Sequence, residues 1–181
     1  MILTKTPLRI SFAGGGSDYF HDELKIDGKV IVTTINKYIY IMVNKKYDDE
    51  LRVSYSKTEN VKSAHFLKHE LIRETLIYFK KTKGIEVITS ADIPSSGCGL
   101  ASSSALIVGL ANAFTGNKVK MITKKEISRL ASNIEIDYCN KPIGYQDHYS
   151  TSFGGFNTID FKSNKQIKVN QIRLKPQREK L

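Results

Sequence analysis

The stretch with the most chemical content is Asp92 to Leu106, DIPSSGCGLASSSAL. Gly97 and Gly99 let the backbone come close to a ligand, and Ser102, Ser103 and Ser104 follow at the start of an apolar helix. A helix N-terminus offers unpaired N–H groups and the positive end of a dipole, which together suit phosphate. No Lys stands at the GK[ST] position, so this is not a Walker A loop. Ser102 occupies the place of the third glycine in a dinucleotide fingerprint, so that motif is not met either. The same residues also read as a serine-capped helix after a flexible turn, and the segment alone leaves both readings open.

Two further segments carry charge in suggestive places. In Glu135 to Gly155, EIDYCNKPIGYQDHYSTSFGG, Glu135 closes an amphipathic helix and Asp147 follows Pro142, Ile143 and Gly144 in a glycine-punctuated loop. A carboxylate near a phosphate and Mg²⁺ can accept or orient a hydroxyl proton; an Asp in a loop is also an ordinary turn residue. In Thr6 to Tyr19, TPLRISFAGGGSDY, Arg9 lies in a strand and Asp18 just past three glycines. Taken alone, Arg9 would be a surface charge. His65 and His69 are four apart on a helix and could face a metal. No third ligand accompanies them, and they read as surface residues. Cys98 and Cys139 lie far apart with no CxxC pattern, which indicates neither a zinc site nor a disulfide framework.

The elements that must position these groups follow from pattern. Leu3 to Phe12 reads as a strand running into the Gly14-Gly15-Gly16 loop. Lys29 to Asn44 is rich in Val, Ile, Thr and Tyr and predicts one long strand or two joined by a bend. Leu51 to Ser56 alternates and is expected to pair with it across the turn at Asp48-Asp49. Ser63 is expected to cap a helix with Leu67, Leu71, Ile72, Leu76 and Phe79 on one face, ended by Gly84. Ile85 to Thr89 reads as a strand and Ser103 to Phe114 as a helix. Thr123 and Glu126 form a capping-box pattern ahead of Ile127, Leu130, Ala131 and Ile134. Phe153 to Phe161 and Gln166 to Leu174 read as strands. The fold class is α+β with a mostly antiparallel sheet.

The chain of 181 residues is long enough for a real core, and 40% apolar with 25% charged residues excludes collagen-like, mucin-like and wholly disordered chains. It has no apolar run of about 18 residues. Pro7 and Arg9 interrupt the N-terminal stretch where a signal peptide needs apolar continuity. A cytoplasmic location and no membrane partner are the expectations. The net charge of +10 is concentrated in residues 162–181, which hold seven Lys/Arg and one acid; the rest has 21 basic and 17 acidic side chains. Such a tail reads as a solvated face or strand edge rather than as a nucleic-acid footprint.

Taken together, PLRISFAGGGSDY, IPSSGCGLASSSA and PIGYQDHYSTSFGG resemble the first motif, the phosphate loop and the catalytic-aspartate segment of the GHMP kinases, which include galactokinase, homoserine kinase and mevalonate kinase. INKYIYIMVNKKYDDELRVSYSKTE, KHELIRETL and IEIDYCNKPIGYQDHY read like the D-glycero-D-manno-heptose 7-phosphate kinases within that superfamily. The resemblance runs from about Thr4 to Leu181.

The resemblance implies a two-layer N-terminal domain like domain 2 of ribosomal protein S5, with a mostly antiparallel sheet and helices on one side. It further implies that residues 1–181 form the ATP-binding N-terminal domain, with the C-terminal domain absent. ATP would be held by Pro94, Gly97, Gly99, Leu100, Ala101, Ser102, Ser103 and Ser104. Mg²⁺ would be held by Ser103 and Glu135. Asp147 would be the general base or the charge that orients the hydroxyl, and Arg9 beside it would help keep it ionised. The sugar pocket would comprise Arg9, Gly15, Gly16, Ser17, Asp18, Gly144, Gln146 and Asp147. Ala101 stands where most relatives carry Gly or Ser, and His148 replaces the usual Gln, beside the chemistry rather than in it. The implied cofactors are ATP and Mg²⁺, and the partner is a small sugar phosphate, with self-association a further expectation.

The function so implied is transfer of the γ-phosphoryl group to the anomeric hydroxyl of a heptose 7-phosphate. A galactokinase- or fucokinase-like activity, a non-catalytic domain binding nucleotide or sugar phosphate, and an RNA-binding S5-like domain are the alternatives. Arg9, Asp18, Glu135 and Asp147 argue against the last, which needs none of them. RNA binding also calls for aromatics interleaved with Lys/Arg on one strand face, whereas the tyrosines here fall within apolar alternation.

Overall fold

In the computed structural model, which describes residues 1–19, 26–94, 98–116 and 122–174, two long strands form the axis of the molecule. β1 (Ile2–Ala13) runs antiparallel to β2 (Gly28–Lys45). Buried positions on β2 fall at Val30 and Val32, then at Ile39, Ile41 and Val43. The parity changes across exposed Asn36 and Lys37, which marks the bend within a single strand. The first half of β2 pairs with β6 (Phe156–Phe161) and the second with β5 (Ile85–Ala91), both antiparallel. Outside these lie β3 (Leu51–Ser54), β4 (Thr58–Val61) and β7 (Ile167–Gln171), giving the order β4-β3-β5-β2-β6-β7 with β1 also on β2. Among these pairings only β3 with β5 is parallel.

Among the described residues, four α-helices cover the sheet: α1 (Glu70–Tyr78), α2 (Ser102–Thr115), α3 (Lys124–Asn133) and α4 (Gln146–Phe153). α2 is buried without a break from Ser104 to Ala111, as befits an apolar helix enclosed on all sides. It lies directly on the strands because Gly109 has no side chain. A Cβ there would stand 2.7 Å from Ile41 Cδ1 and 2.9 Å from Thr6 Oγ1. α3 begins at the expected capping box, with Thr123 and Glu126 bonding each other's backbone N–H. Among the described residues the core has three parts. One lies between β2, β3, β5, α1 and α2, another between α2 and α3, and a third between β2, β6 and α4.

Several local expectations are corrected. Leu51 to Ser56 does not pair with β2, because β5 lies between them; β3 instead joins β5 and β4. The pairing is non-local, so the turn at Asp48-Asp49 could not reveal it. Ser63 makes no side-chain cap and precedes only a 3₁₀ turn, Ala64–Phe66. The α-helix starts later, where the His69 side chain accepts from Ile72 N at 3.5 Å, and Gly84 lies beyond its end at Tyr78. His69 is therefore a half-buried cap whose pKa is lowered by burial, not a surface residue. Phe153 ends α4 rather than opening β6.

Candidate active site

Arg9 owes its inward position to an irregularity. The register between β1 and β2 shifts between Pro7 and Arg9, so Leu8 and Arg9 are buried in succession instead of alternating. From there the guanidinium reaches two segments distant in sequence. Nε donates to Asp147 Oδ1 at 2.8 Å, Nη2 lies 2.6 Å from the same oxygen, and Nη1 donates to Gly99 O at 2.7 Å. The Arg9 backbone N–H adds a bond to Leu100 O. One side chain thus fastens the glycine loop to the aspartate.

Asp147 lies not in a loop but in the first turn of α4, where the dipole favours negative charge. Its carboxyl is nonetheless raised above the usual aspartate range. Burial is the main cause, and the charge and hydrogen bonds of Arg9 oppose it without overcoming it. Arg9 therefore acts in the expected direction, but burial prevails.

Asp18 is only 2% exposed. Its Oδ2 accepts from Gln146 N at 3.0 Å and its backbone carbonyl from Tyr145 N, while Oδ1 has no hydrogen-bond partner among the described residues. A Cβ on Gly144 would stand 2.0 Å from Asp18 Oδ2, so only glycine permits this approach. Ser11 Oγ donates to Gln146 Oε1 at 3.0 Å. Ser17 bonds Gly14 O and the Lys29 backbone, closing the first glycine turn, with Gly15 and Gly16 exposed beside it. The first motif and the turn before α4 are thereby assembled as one unit.

The other end of the site is the start of α2. Its N-cap is Ala101, in the left-handed region at φ 62°, which makes no side-chain cap. Two of the serines face Glu135: Ser104 Oγ donates to its Oε2 at 2.9 Å, and Ser103 stands near enough to help lower its pKa. Among the described residues, no side chain caps the first-turn N–H groups of α2. Glu135 itself stands in a π-helical turn, Ile134–Tyr138, that prolongs α3, a distortion common at functional sites. It is 3% exposed, and His148 Nε2 lies 2.7 Å from Oε2. Burial alone would raise the Glu135 carboxyl. Its contacts, with His148 first and Ser103 and Ser104 after it, outweigh that and hold the pKa below the usual glutamate range.

A groove of about 530 Å³ adjoins this helix start, lined by Ile39, Tyr55, Ile93, Pro94, Ser102 and Ser103 among others. A second, of about 540 Å³, shares His69, Leu71 and Ser103 with it and reaches Glu135 and Lys141. Lys141 Nζ pairs with Glu70 at 2.5 Å across that part. Of the expected site residues, Gly97 lies outside the described residues. Among the others, Arg9, Asp147 and Asp18 form one group and Ser103, Ser104 and Glu135 a second. His148, expected to lie beside the chemistry, is in contact with Glu135. Lys141 and the Tyr55 wall were not expected at all. Strand order brings Tyr55 there, and no motif marks it.

Ser103 and Glu135 offer hard oxygen donors side by side, a donor set that fits Mg²⁺. No group of three or more His, Cys, Asp and Glu capable of holding a metal occurs among the described residues, so such an ion would complete its shell with phosphate and water oxygens.

This geometry agrees with sequence comparison: residues 62–155 match the GHMP kinases N-terminal domain, and the chain belongs to that family. It is 34% identical over 186 residues to D-glycero-alpha-D-manno-heptose 7-phosphate kinase of Campylobacter jejuni, covering 96% of this chain and 55% of that protein. It is 25% identical over 158 residues to galactokinase of Thermotoga petrophila, covering 83% of this chain and 43% of that one. A crystal structure of a D-glycero-D-manno-heptose 1-phosphate kinase from Bacteroides thetaiotaomicron superposes with TM-score 0.84 at 29% identity, over 96% of this chain and 60% of that one. The chain thus spans about half the length of the curated relatives it matches. No helix among the described residues is long and apolar enough to cross a membrane.

Proposed function

We propose that this chain forms the nucleotide-binding half of a cytoplasmic, ATP-dependent sugar kinase whose acceptor is a heptose 7-phosphate. The observation that carries the reading is the Arg9 clamp, which ties the carboxylate of Asp147 to the loop that opens α2. In the reaction the anomeric hydroxyl oxygen forms a bond to the γ-phosphorus as the bond from that phosphorus to the β,γ-bridging oxygen breaks. Asp147 accepts or orients the hydroxyl proton, and its raised pKa suits a group that must hold a proton in passing. The first-turn N–H groups of α2 receive phosphate oxygens, and the Tyr55–Ile93 groove receives the nucleoside. Ser103 and Glu135 would hold Mg²⁺, which when bound neutralises charge between the phosphates.

Asp18 Oδ1, buried beside the first glycine turn, is a further acceptor for a sugar hydroxyl. The heptose assignment is supported by the Campylobacter and Bacteroides relatives. The test is a coupled assay on the full-length protein with ATP and heptose 7-phosphate, galactose or fucose at matched concentrations. Heptose 7-phosphate should turn over fastest; faster turnover of a neutral hexose would reassign the acceptor.

A further inference from the structure

The contact between His148 and Glu135 has a chemical consequence for the metal site. His148 is fully buried, and its Nε2 lies 2.7 Å from Glu135 Oε2, the oxygen that also accepts from Ser104 at 2.9 Å. A carboxylate oxygen can only accept, so Nε2 carries the proton. Nδ1 has no hydrogen-bond partner among the described residues, which suits a bare lone pair better than an N–H left unpaired in the interior. Two donors, from α4 and α2, thus fix one oxygen of a carboxylate carried by the turn after α3. The plane of the carboxylate is then set, and Oε1 remains the oxygen that an ion beside Ser103 could share.

We propose that His148 is a positioning residue for metal binding. By donating to Glu135 Oε2 it aims Oε1 toward the ion that accompanies the nucleotide phosphates. This rests on the reading of Ser103 and Glu135 as the metal-holding pair. His148 adjoins Asp147 in sequence, so α4 presents one group to the acceptor hydroxyl and the next residue to the metal ligand. Partners of metal ligands commonly contribute about 10–100-fold in metal affinity.

The experiment compares His148→Gln with His148→Met, near-isosteric side chains of which only the first can donate. The probe is Mn²⁺, titrated into the chain with ATP and followed by water-proton relaxation. ATP binding in EDTA, measured by calorimetry, is the control. His148→Met should weaken Mn²⁺ uptake by about 10-fold or more, with His148→Gln close to wild type. Metal-free ATP affinity should be unchanged in both. Wild-type Mn²⁺ affinity in a folded His148→Met variant would overturn the proposal, as would equal losses with and without metal. A measurement on the wild-type chain guards against a variant that does not fold: ¹⁵N spectra of the imidazole should show Nε2 protonated, and an Nδ1–H tautomer would also overturn it. If the wild-type chain takes up ATP but no Mn²⁺ with it, the metal-site reading fails and this inference with it. If it takes up neither, the nucleotide reading fails as well.

Discussion

Two carboxylates twelve positions apart in sequence, Glu135 and Asp147, occupy adjacent elements and meet opposite fates. Glu135 is sealed in, with donors from His148 and Ser104 and with Ser103 beside it; these contacts more than offset its burial, and its pKa falls. Asp147 keeps a quarter of its side chain exposed and is paired with Arg9, which does not offset its burial, and its pKa rises. The groups around each carboxyl, more than burial, separate them. A fixed anion is what a metal site needs, and a carboxyl nearer its titration point is what proton transfer needs. Environments that push two carboxyls apart in this way are the usual sign of divided labour.

The largest expected effect comes from exchanging each carboxylate for its amide in the full-length protein. Asp147→Asn should lower turnover by about 10²-fold or more, the usual contribution of a general base. It should leave Mg·ATP binding intact. Glu135→Gln should chiefly weaken Mg·ATP binding. Steady-state kinetics with calorimetry separates the two, and near wild-type turnover by Asp147→Asn would remove it from the mechanism.

Next is Gly144→Ala, which pushes a methyl into the Asp18 carboxylate and so disturbs the turn that launches α4. Overpacking of this kind costs about 1–3 kcal/mol, and each kcal/mol lowers Tm by roughly 2–4 °C at this chain length. The damage should fall on the Asp147 side. Turnover should drop while Mn²⁺ uptake by the Glu135 side survives. Equal loss of both would show that the two groups are one mechanical unit.

How legible this was in the sequence differs between the two sides. The Thr123–Glu126 capping box, the helix after the glycine loop and the general α+β layout follow from local pattern, and the structure agrees. The family resemblance is shown as well. Pairings across long stretches of chain were not legible. The parallel β3–β5 pair joins strands separated by α1, and β4, Thr-Glu-Asn-Val, is too polar and short to signal a strand. Arg9 looked like a surface charge because strand alternation says nothing of a bulge. His148 looked incidental because its partner lies thirteen residues away, on another element. A motif shows which residues are present; burial and partners decide what state they are in.

A smaller effect, but a sharper one, is the pH dependence of stability. The folded-state pKa of Glu135 is lowered, so its contribution is present above its unfolded value, about 4.3. That contribution is lost as pH falls through the folded value. Asp147 is raised, so its contribution is complete below an unfolded value of about 3.9 and is lost as pH rises through the folded one. Denaturant unfolding across the acid range should therefore show opposite changes. Glu135→Gln should flatten the loss of stability on acidification, and Asp147→Asn should steepen it. Slopes that change in the same direction would mean that the two environments are not opposed.

The smallest effect should come from Ala101, between the carbonyls that Arg9 grips and the serines that hold Glu135. At φ 62° and ψ 37° its backbone is left-handed, a conformation that costs an L-residue about 1–2 kcal/mol. Glycine adopts it freely. Ala101→Gly relieves that strain, but the unfolded glycine chain gains freedom, a loss of about 0.4–1 kcal/mol in stability. The methyl is also buried, at 7% exposure, and its burial is forfeited. The terms nearly cancel, so Tm should move by no more than about 2 °C, the shift for roughly half a kcal/mol to one kcal/mol at this size. Ala101 touches neither carboxylate through its side chain, so the opposed pH slopes should persist unchanged. A drop in Tm well beyond this, with altered slopes, would show that the left-handed turn is held by the methyl itself and that the loop couples the two carboxylates.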